Sequence, residues 1–317
     1  LLDELAAVVE EACEAAGLAT VQRTGCPLLL AVHGDPDLAR APEAAKPAHS
    51  AQALAAALAD RCALAPAVRA YTSACVAATT AVADAAAMVA HGHADRVVVA
   101  AGYLVEPDQF ALFDAGRALA VDGRVRPFSA GRTGLLLGDG VAAVVVESAD
   151  AARHRGAPAL ARLAGWGRAG DGYHVVQPRP DGTGLARAIR AALDRAGVRP
   201  DQVGYVNAHG SGTQQSDRAE AAALHRALGE TAAHTPVSST KSVHGQALEA
   251  SGLLELIITM LTLDRGHLPV NAGFLAPDAD CPLDVIVDTP RPASPAYALS
   301  INAAFGGANT ALLVGTA

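Results

Sequence analysis

Aromatic side chains are scarce in this chain: they make up 3% of its 317 residues, with a single tryptophan. A core must then come mostly from alanine, valine and leucine, which bury little area each and require closely approaching elements. Although 51% of the residues are hydrophobic, no uninterrupted apolar run is long enough to read as a membrane span. Cysteine offers no CxxC pair and no metal-ligand spacing; the five lie at positions 13, 26, 62, 75 and 281. That odd count argues for free thiols in a reducing compartment, against a disulfide framework and against a bound metal. Positive charge is also short, 24 Lys and Arg against 32 Asp and Glu, a net charge of −8. With no basic run interleaved with aromatics, nucleic acid is excluded as a partner. The opening stretch, Leu1 to Gly17, reads as an acidic amphipathic helix and not a signal peptide, so a cytoplasmic location is expected.

What is present is an alternation of strand-like and helix-like segments, the pattern of a layered α/β protein with parallel strands. The length suggests two joined parts, residues 1–150 and 151–317, each with a helix that begins at a polar, small-residue turn after a strand. In the first part a strand is expected over Pro27–Val32, then a Pro- and Ala-rich loop and a helix to about Leu64, then strands at Arg96–Ala101 and Val141–Glu147. Residues 106–134 read as loop-rich. Arg117, Arg124, Arg126 and Arg132 gather there, as a solvated face or a dock for an acidic partner. In the second part strands are expected at Leu160–Trp166, Val203–Ala208, Val285–Asp288, Tyr297–Ile301 and Thr310–Val314, and helices at Gly184–Ala196, Asp217–Leu228 and from about Leu248 to Asp264.

The stretch Tyr71 to Met88 places Cys75 just before a helix with no lysine or arginine from Val76 onward. Unpaired backbone N–H groups and the helix dipole favour a thiolate there, hence a nucleophile. A structural cysteine at the mouth of a buried helix has the same pattern. Three polar turns at strand ends carry further chemistry: Asn207 to Thr213, Lys241 to Gln246, and Ala303 to Asn309. His209, in the first, could exchange a proton, hydrogen-bond a carbonyl, or simply be satisfied within its turn.

Taken in order, Ser73-Ala74-Cys75, Arg117-Ala118-Leu119, Arg126-Pro127-Phe128, Leu137-Gly138-Asp139-Gly140, Asn207 to Thr213 with Asp217 and Glu220, Lys241-Ser242 and Phe305-Gly306-Gly307 resemble the motifs of the β-ketoacyl-acyl-carrier-protein synthases, condensing enzymes of the thiolase superfamily. The resemblance implies a thiolase-like fold, two related α/β halves in α-β-α-β-α layers. The family opens with a glycine-rich strand that this sequence does not contain, so the first strand of the N-terminal half is expected to be missing. Members pair as dimers across the strand near the nucleophile, which the resemblance places at Arg96–Ala101. By resemblance Cys75 accepts an acyl chain from the phosphopantetheine of an acyl carrier protein, with no bound cofactor. The N–H groups of Cys75 and Phe305 form the oxyanion hole, and Phe305, next to Gly306, gates the acyl pocket. His209 holds the malonyl carbonyl, steadied by a Lys241–Glu220 pair, while Ser211 and Thr213 hold the phosphopantetheine arm.

The sequence departs from the family where elongating synthases carry a second histidine, after the glycine of the KSxxG turn: here it has Gln246. An amide can donate a hydrogen bond to a thioester carbonyl but cannot take up a proton at neutral pH. Chain-initiating relatives use an asparagine in that role, and His244, two residues earlier, is a candidate substitute. Glu249 stands where the family has glycine, and Thr133 where it has an acid. Three functions follow as expectations: a decarboxylating ketosynthase of polyketide or specialised fatty acid synthesis, a non-decarboxylating acyltransferase on the same cysteine, or a chain-length-factor-like partner subunit. A homodimer or a heterodimer is expected for all three, and an acyl carrier protein is the expected partner.

Overall fold

The computed structural model describes residues 1–33 and 50–317. Along the chain run α1 (Leu2–Ala15), α2 (Thr20–Arg23), β1 (Leu28–Val32), α3 (Ala51–Arg61), β2 (Val68–Tyr71), α4 (Ala77–Ala90), β3 (Arg96–Tyr103), α5 (Pro107–Ala115), β4 (Gly140–Glu147) and α6 (Ala149–His154). There follow β5 (Arg162–Gly170), α7 (Thr183–Ala196), β6 (Val203–Asn207), α8 (Gln214–Leu228), β7 (Pro236–Ser238), α9 (Lys241–His244) and α10 (Leu248–Arg265). The chain ends with β8 (His267–Leu268), β9 (Asp284–Val285), β10 (Arg291–Pro292), β11 (Tyr297–Ala304) and β12 (Ala308–Gly315). The Pro- and Ala-rich loop expected after β1 lies outside the described residues. No described helix is long and apolar enough to cross a membrane.

Two compact units result: Leu1–Leu104, Gly140–Ala159 and Ala247–Leu254 in the first, Val105–Asp139, Leu160–Gln246 and Glu255–Ala317 in the second. They are not contiguous in sequence. Segment 105–139 joins the second because Phe128 and Arg132 bond to Asp217 of α8. The start of α10 joins the first because Ala247, Ala250 and Leu254 lie against Gly140 of β4.

In the first unit the strand order is β2-β1-β3-β4, with β1 parallel to both neighbours and β4 antiparallel to β3. The sheet is therefore mixed, not parallel throughout: β4 enters from the far end of β3 after a long excursion of the chain. Strand β1 pairs directly with β2 and β3. Every residue of β1 is buried, as its continuous apolar sequence requires of a two-sided strand. Leu28, Leu30 and Val32 join Leu5, Val9 and Leu58 of α1 and α3 in one core. Strand alternation turns Leu29 and Ala31 to the other face, and α4, with Ala78, Ala81, Val82 and Ala85 buried, packs on β1 and β3.

The expected pairing strand needs correction. Arg96–Ala101 lies within β3, hydrogen-bonded on both sides, and presents no open edge. Near Cys75 the sheet ends at β2, whose outer side is partly covered by Gln52: its amide donates to Val68 O at 3.2 Å and accepts from Ala70 N at 3.3 Å.

The second unit holds a sheet of order β5-β12-β11-β6-β7-β9, antiparallel from β5 to β11 and parallel from β11 to β9. Helix α7 lies on β5 and β12, burying Leu185, Ile189, Ala192 and Leu193. Backbones touch here: a Cβ on Gly167 would fall 1.9 Å from Ala188 O. Next to it Trp166 carries the Arg195 guanidinium over its ring, 4.6 Å from the centroid. The segment read as loop-rich contains α5, opened by Pro107 and with no buried residue, so it left no apolar periodicity to read. Within the same segment Arg126 and Arg132 are buried and paired, with Asp122 and with Asp217 and Asp278, and do not form a solvated face.

Candidate active site

Between β2 and α4 of the first unit the chain makes one 3-10 turn, Ala74–Val76, with Cys75 at its centre. Ala74 sits at φ +50°, a left-handed conformation costly for a residue with a Cβ and associated with functional turns. Cys75 is half-buried at the entrance to α4, while the other four cysteines are buried. Burial pushes the Cys13 thiol up to about 11 and Cys281 up to about 12, and raises Cys26 and Cys62 as well. Those four are held as thiols.

In the second unit, β6 delivers the His209 turn at its C-terminal end, where open α/β sheets place their sites. Glu220 of α8 accepts the N–H groups of His209 and Gly210, both at 2.7 Å. One turn earlier on the helix, Asp217 accepts Gly212 N at 3.1 Å and Phe128 N at 2.8 Å. Burial pushes Asp217 up to about 6 and Glu220 up to about 8. Ser211 and Thr213 bond to each other through their hydroxyls at 3.0 Å.

The buried Lys241 does not pair with Glu220, as the sequence suggested, but with Glu255 of α10. Glu220 is occupied by two backbone donors, whereas Glu255 has room for the ammonium and for Asn302 Nδ2 at 2.6 Å. A charge pair this deep persists because both ions find further hydrogen bonds. Lys241 Nζ also donates to His209 O at 2.8 Å and stands 3.5 Å from His209 Nδ1. Burial, then the Lys241 charge, hold His209 well below its ordinary value. The imidazole is neutral, and an ammonium facing Nδ1 puts its proton on Nε2, a hydrogen-bond donor.

Gln246 is buried, its backbone N–H donating to Leu136 O at 2.7 Å and its backbone carbonyl accepting Gly138 N at 3.1 Å. The approach requires glycine: a Cβ on Gly138 would fall 2.0 Å from His244 O. His244 bonds Thr240 Oγ1 at 3.1 Å, and burial with the Lys241 charge lowers it to about 4. Lys241 and His244, with Arg124, Leu137 and Ser242, line a cleft of about 410 Å³. Phe305 is exposed and stacks on Phe113 of α5, centroids 6.1 Å apart, while Gly306 takes φ +83° and donates to Val175 O at 2.8 Å.

Sequence reading missed Glu255, Asn302 and Phe113. Glu255 had a signal: a carboxylate in the apolar run of α10 needs a buried cation, and the chain has only two lysines, Lys46 and Lys241. It also gave no partner to Glu249, which bonds His33 in the first unit. Thr133 is placed 3.4 Å from Asp122 Oδ1. Among the described residues no cluster of ligating side chains could hold a metal.

The sequence matches the family described as "Beta-ketoacyl synthase, N-terminal domain" over residues 5–152 and "Beta-ketoacyl synthase, C-terminal domain" over residues 160–275. It is 36% identical over 249 residues to a 3-oxoacyl-[acyl-carrier-protein] synthase 2 of Staphylococcus aureus, covering 77% of this chain and 62% of that protein. It is 37% identical over 273 residues to a Streptomyces cyaneus protein assigned as polyketide beta-ketoacyl synthase 1, covering 84% and 65%. The chain thus spans less than two-thirds of the length of either relative. Among solved structures, a chain of the ishigamide ketosynthase/chain length factor is similar at TM-score 0.91 and 29% identity, over 100% of this chain and 82% of that one. A chain of the complex AntDE:AntF, a type II acyl-carrier protein with its ketosynthase, is similar at TM-score 0.90 and 25% identity, over 100% and 84%.

Proposed function

The chain belongs to the β-ketoacyl synthase family, and from that premise we propose that it accepts an acyl chain on Cys75 from a carrier-protein phosphopantetheine thioester and condenses it with malonyl-carrier protein, with loss of carbon dioxide. The observation that carries the reading is the contrast among the thiols: four are buried and held protonated, and Cys75 alone is half-buried at the start of a helix. Acyl transfer forms a bond from the Cys75 sulfur to the thioester carbonyl carbon and releases the pantetheine thiol. In the condensation His209, neutral with its proton on Nε2, donates to the malonyl thioester carbonyl. It thereby stabilises the enolate left when carbon dioxide departs. Ser211 and Thr213 offer hydroxyls to the phosphopantetheine arm, and the exposed Phe305 is the gate for the acyl chain. The reading assigns the chain to polyketide or specialised fatty acid synthesis, with an acyl carrier protein as partner and either a second copy of itself or another ketosynthase-like chain as dimer mate.

Gln246 favours a second reading, an acyltransferase that passes the chain on without decarboxylation, because an amide cannot move a proton. The likeness to a ketosynthase/chain length factor keeps a non-catalytic partner subunit as the third. Incubation with malonyl-carrier protein and an acyl donor separates them. Carbon dioxide and a β-keto product are expected; an acyl-Cys75 mass without either supports the acyltransferase. No acyl mass on Cys75 leaves only the partner subunit.

A further inference from the structure

Asp217 lies on α8 with no exposure and spends both its oxygens on backbone: Oδ1 accepts Gly212 N at 3.1 Å and Oδ2 accepts Phe128 N at 2.8 Å. Both donor residues take left-handed conformations, Gly212 at φ +82° and Phe128 at φ +59°. For Phe128, which carries a Cβ, that conformation is costly and persists only where its surroundings fix it. Gly212 stands between Ser211 and Thr213, whose hydroxyls bond each other at 3.0 Å. The carboxylate that holds Gly212 therefore also sets these two hydroxyls.

Burial pushes the Asp217 carboxyl up to about 6. Arg132, itself buried, supplies the opposing charge, with Nε 3.4 Å from Asp217 Oδ2. That Nε has no hydrogen-bond partner among the described residues, so the contact acts through charge and not through a directed bond. The rest of the guanidinium is anchored: Nη1 donates to Ser129 O at 3.0 Å and to Asp278, and Nη2 to Gln214 O at 3.3 Å. The other ionisable groups that face Asp217 are Glu220 one turn along α8, Lys241 of α9 and the Cys281 thiol. Lys241 is committed to Glu255, so Arg132 is the cation that serves Asp217.

We propose that Arg132 is a positioning residue for the His209 turn: its charge keeps Asp217 a carboxylate, which holds Gly212 and Phe128 and so presents the Ser211 and Thr213 hydroxyls in one arrangement. Bonds from backbone N–H groups to a charged acceptor are about twice as strong as neutral ones, so loss of the charge loosens the turn without removing either acceptor. The catalytic part of the proposal rests on Ser211 and Thr213 holding the phosphopantetheine arm.

Site-resolved amide hydrogen exchange of the full chain tests this without any substrate. In Arg132→Met, exchange at Gly212 and Phe128 is expected to quicken about tenfold, while His209 and Gly210, held by Glu220, stay within about twofold. Arg132→Lys keeps the charge and should restore most of the protection. Asp278→Asn cuts another ion pair of Arg132 and should leave both amides as in the wild type. An equal loss in Asp278→Asn would mark Arg132 as a structural clamp and overturn the proposal, as would unchanged exchange in Arg132→Met. Should Arg132→Met fail to fold, the wild type decides. Corrected for intrinsic exchange, its protection at the two amides is expected to fall about tenfold as pH drops from about 7 to about 5 and the carboxyl takes up its proton. A flat profile overturns the proposal. In turnover, Arg132→Met is expected to raise KM for malonyl-carrier protein about tenfold with kcat within about threefold. Quickened exchange with an unchanged KM confines Arg132 to the fold and overturns its positioning role. Quickened exchange in a chain that performs neither acyl transfer nor condensation sinks the function proposed above and leaves the Arg132–Asp217 pair standing.

Discussion

Lys241 does three things with one ammonium: it neutralises Glu255, it bonds the His209 carbonyl, and it faces the His209 ring. Replacing it with methionine strands Glu255 in a site with no exposure, which should cost about 3–5 kcal/mol. Lys241→Met with Glu255→Leu removes both charges, and equilibrium unfolding should recover much of that loss while malonyl decarboxylation stays absent. His244 gives a pH prediction. Its folded value, about 4, lies below the 6.5 of an ordinary histidine, so below pH 6.5 the unfolded chain binds the extra proton. Its contribution to stability falls as pH drops from 6.5 to 4. His244→Asn should flatten the dependence of unfolding free energy on pH in that window by close to one proton, measured by denaturant titration at several pH values. Gln246→His should raise condensation if the amide only weakens an ordinary ketosynthase; an unchanged rate would indicate a site built around the amide.

At the scale of elements, close backbone approach replaces the bulk that aromatic residues would supply. Gly167 lets α7 lie on β5, and Gly167→Ala should lower stability by about 1–3 kcal/mol or more, because the obstructing atom is a backbone oxygen. Ile189→Ala in the same layer should cost about 2–5 kcal/mol through the cavity it leaves, read as a lower denaturation midpoint. The same feature explains what could be read beforehand. Buried apolar strands such as β1, β6 and β11, and the amphipathic α7, announce themselves by pattern. Helix α5, which has no fully buried residue, and the four-residue β2 do not. Cys75, His209 and Lys241, the site residues proposed above, stood out in the sequence because small polar residues cluster around them. Glu255 left only the trace of a carboxylate in an apolar run and His33 none, since their partners lie 14 and 216 residues away. Strand direction was also hidden: nothing in the sequence of β4 or β12 tells which way its neighbour runs.

On the scale of the whole molecule, the chain crosses between its two units several times, and each unit has its own apolar core. The first unit ends at β2, where the Gln52 amide occupies backbone groups that another strand would use. Guarding an edge in this way opposes strand addition. Gln52→Ala should therefore shift sedimentation toward larger species at equal concentration, and an unchanged distribution would show that the edge is irrelevant to assembly. The lone tryptophan has a further use. Trp166 sits on β5 in the second unit beneath the Arg195 guanidinium, while the first unit absorbs only through Tyr71 and Tyr103. Red-edge excitation thus lights one unit and leaves the other dark, so the emission spectrum is a built-in reporter of the unit that carries His209, and circular dichroism supplies the average of both.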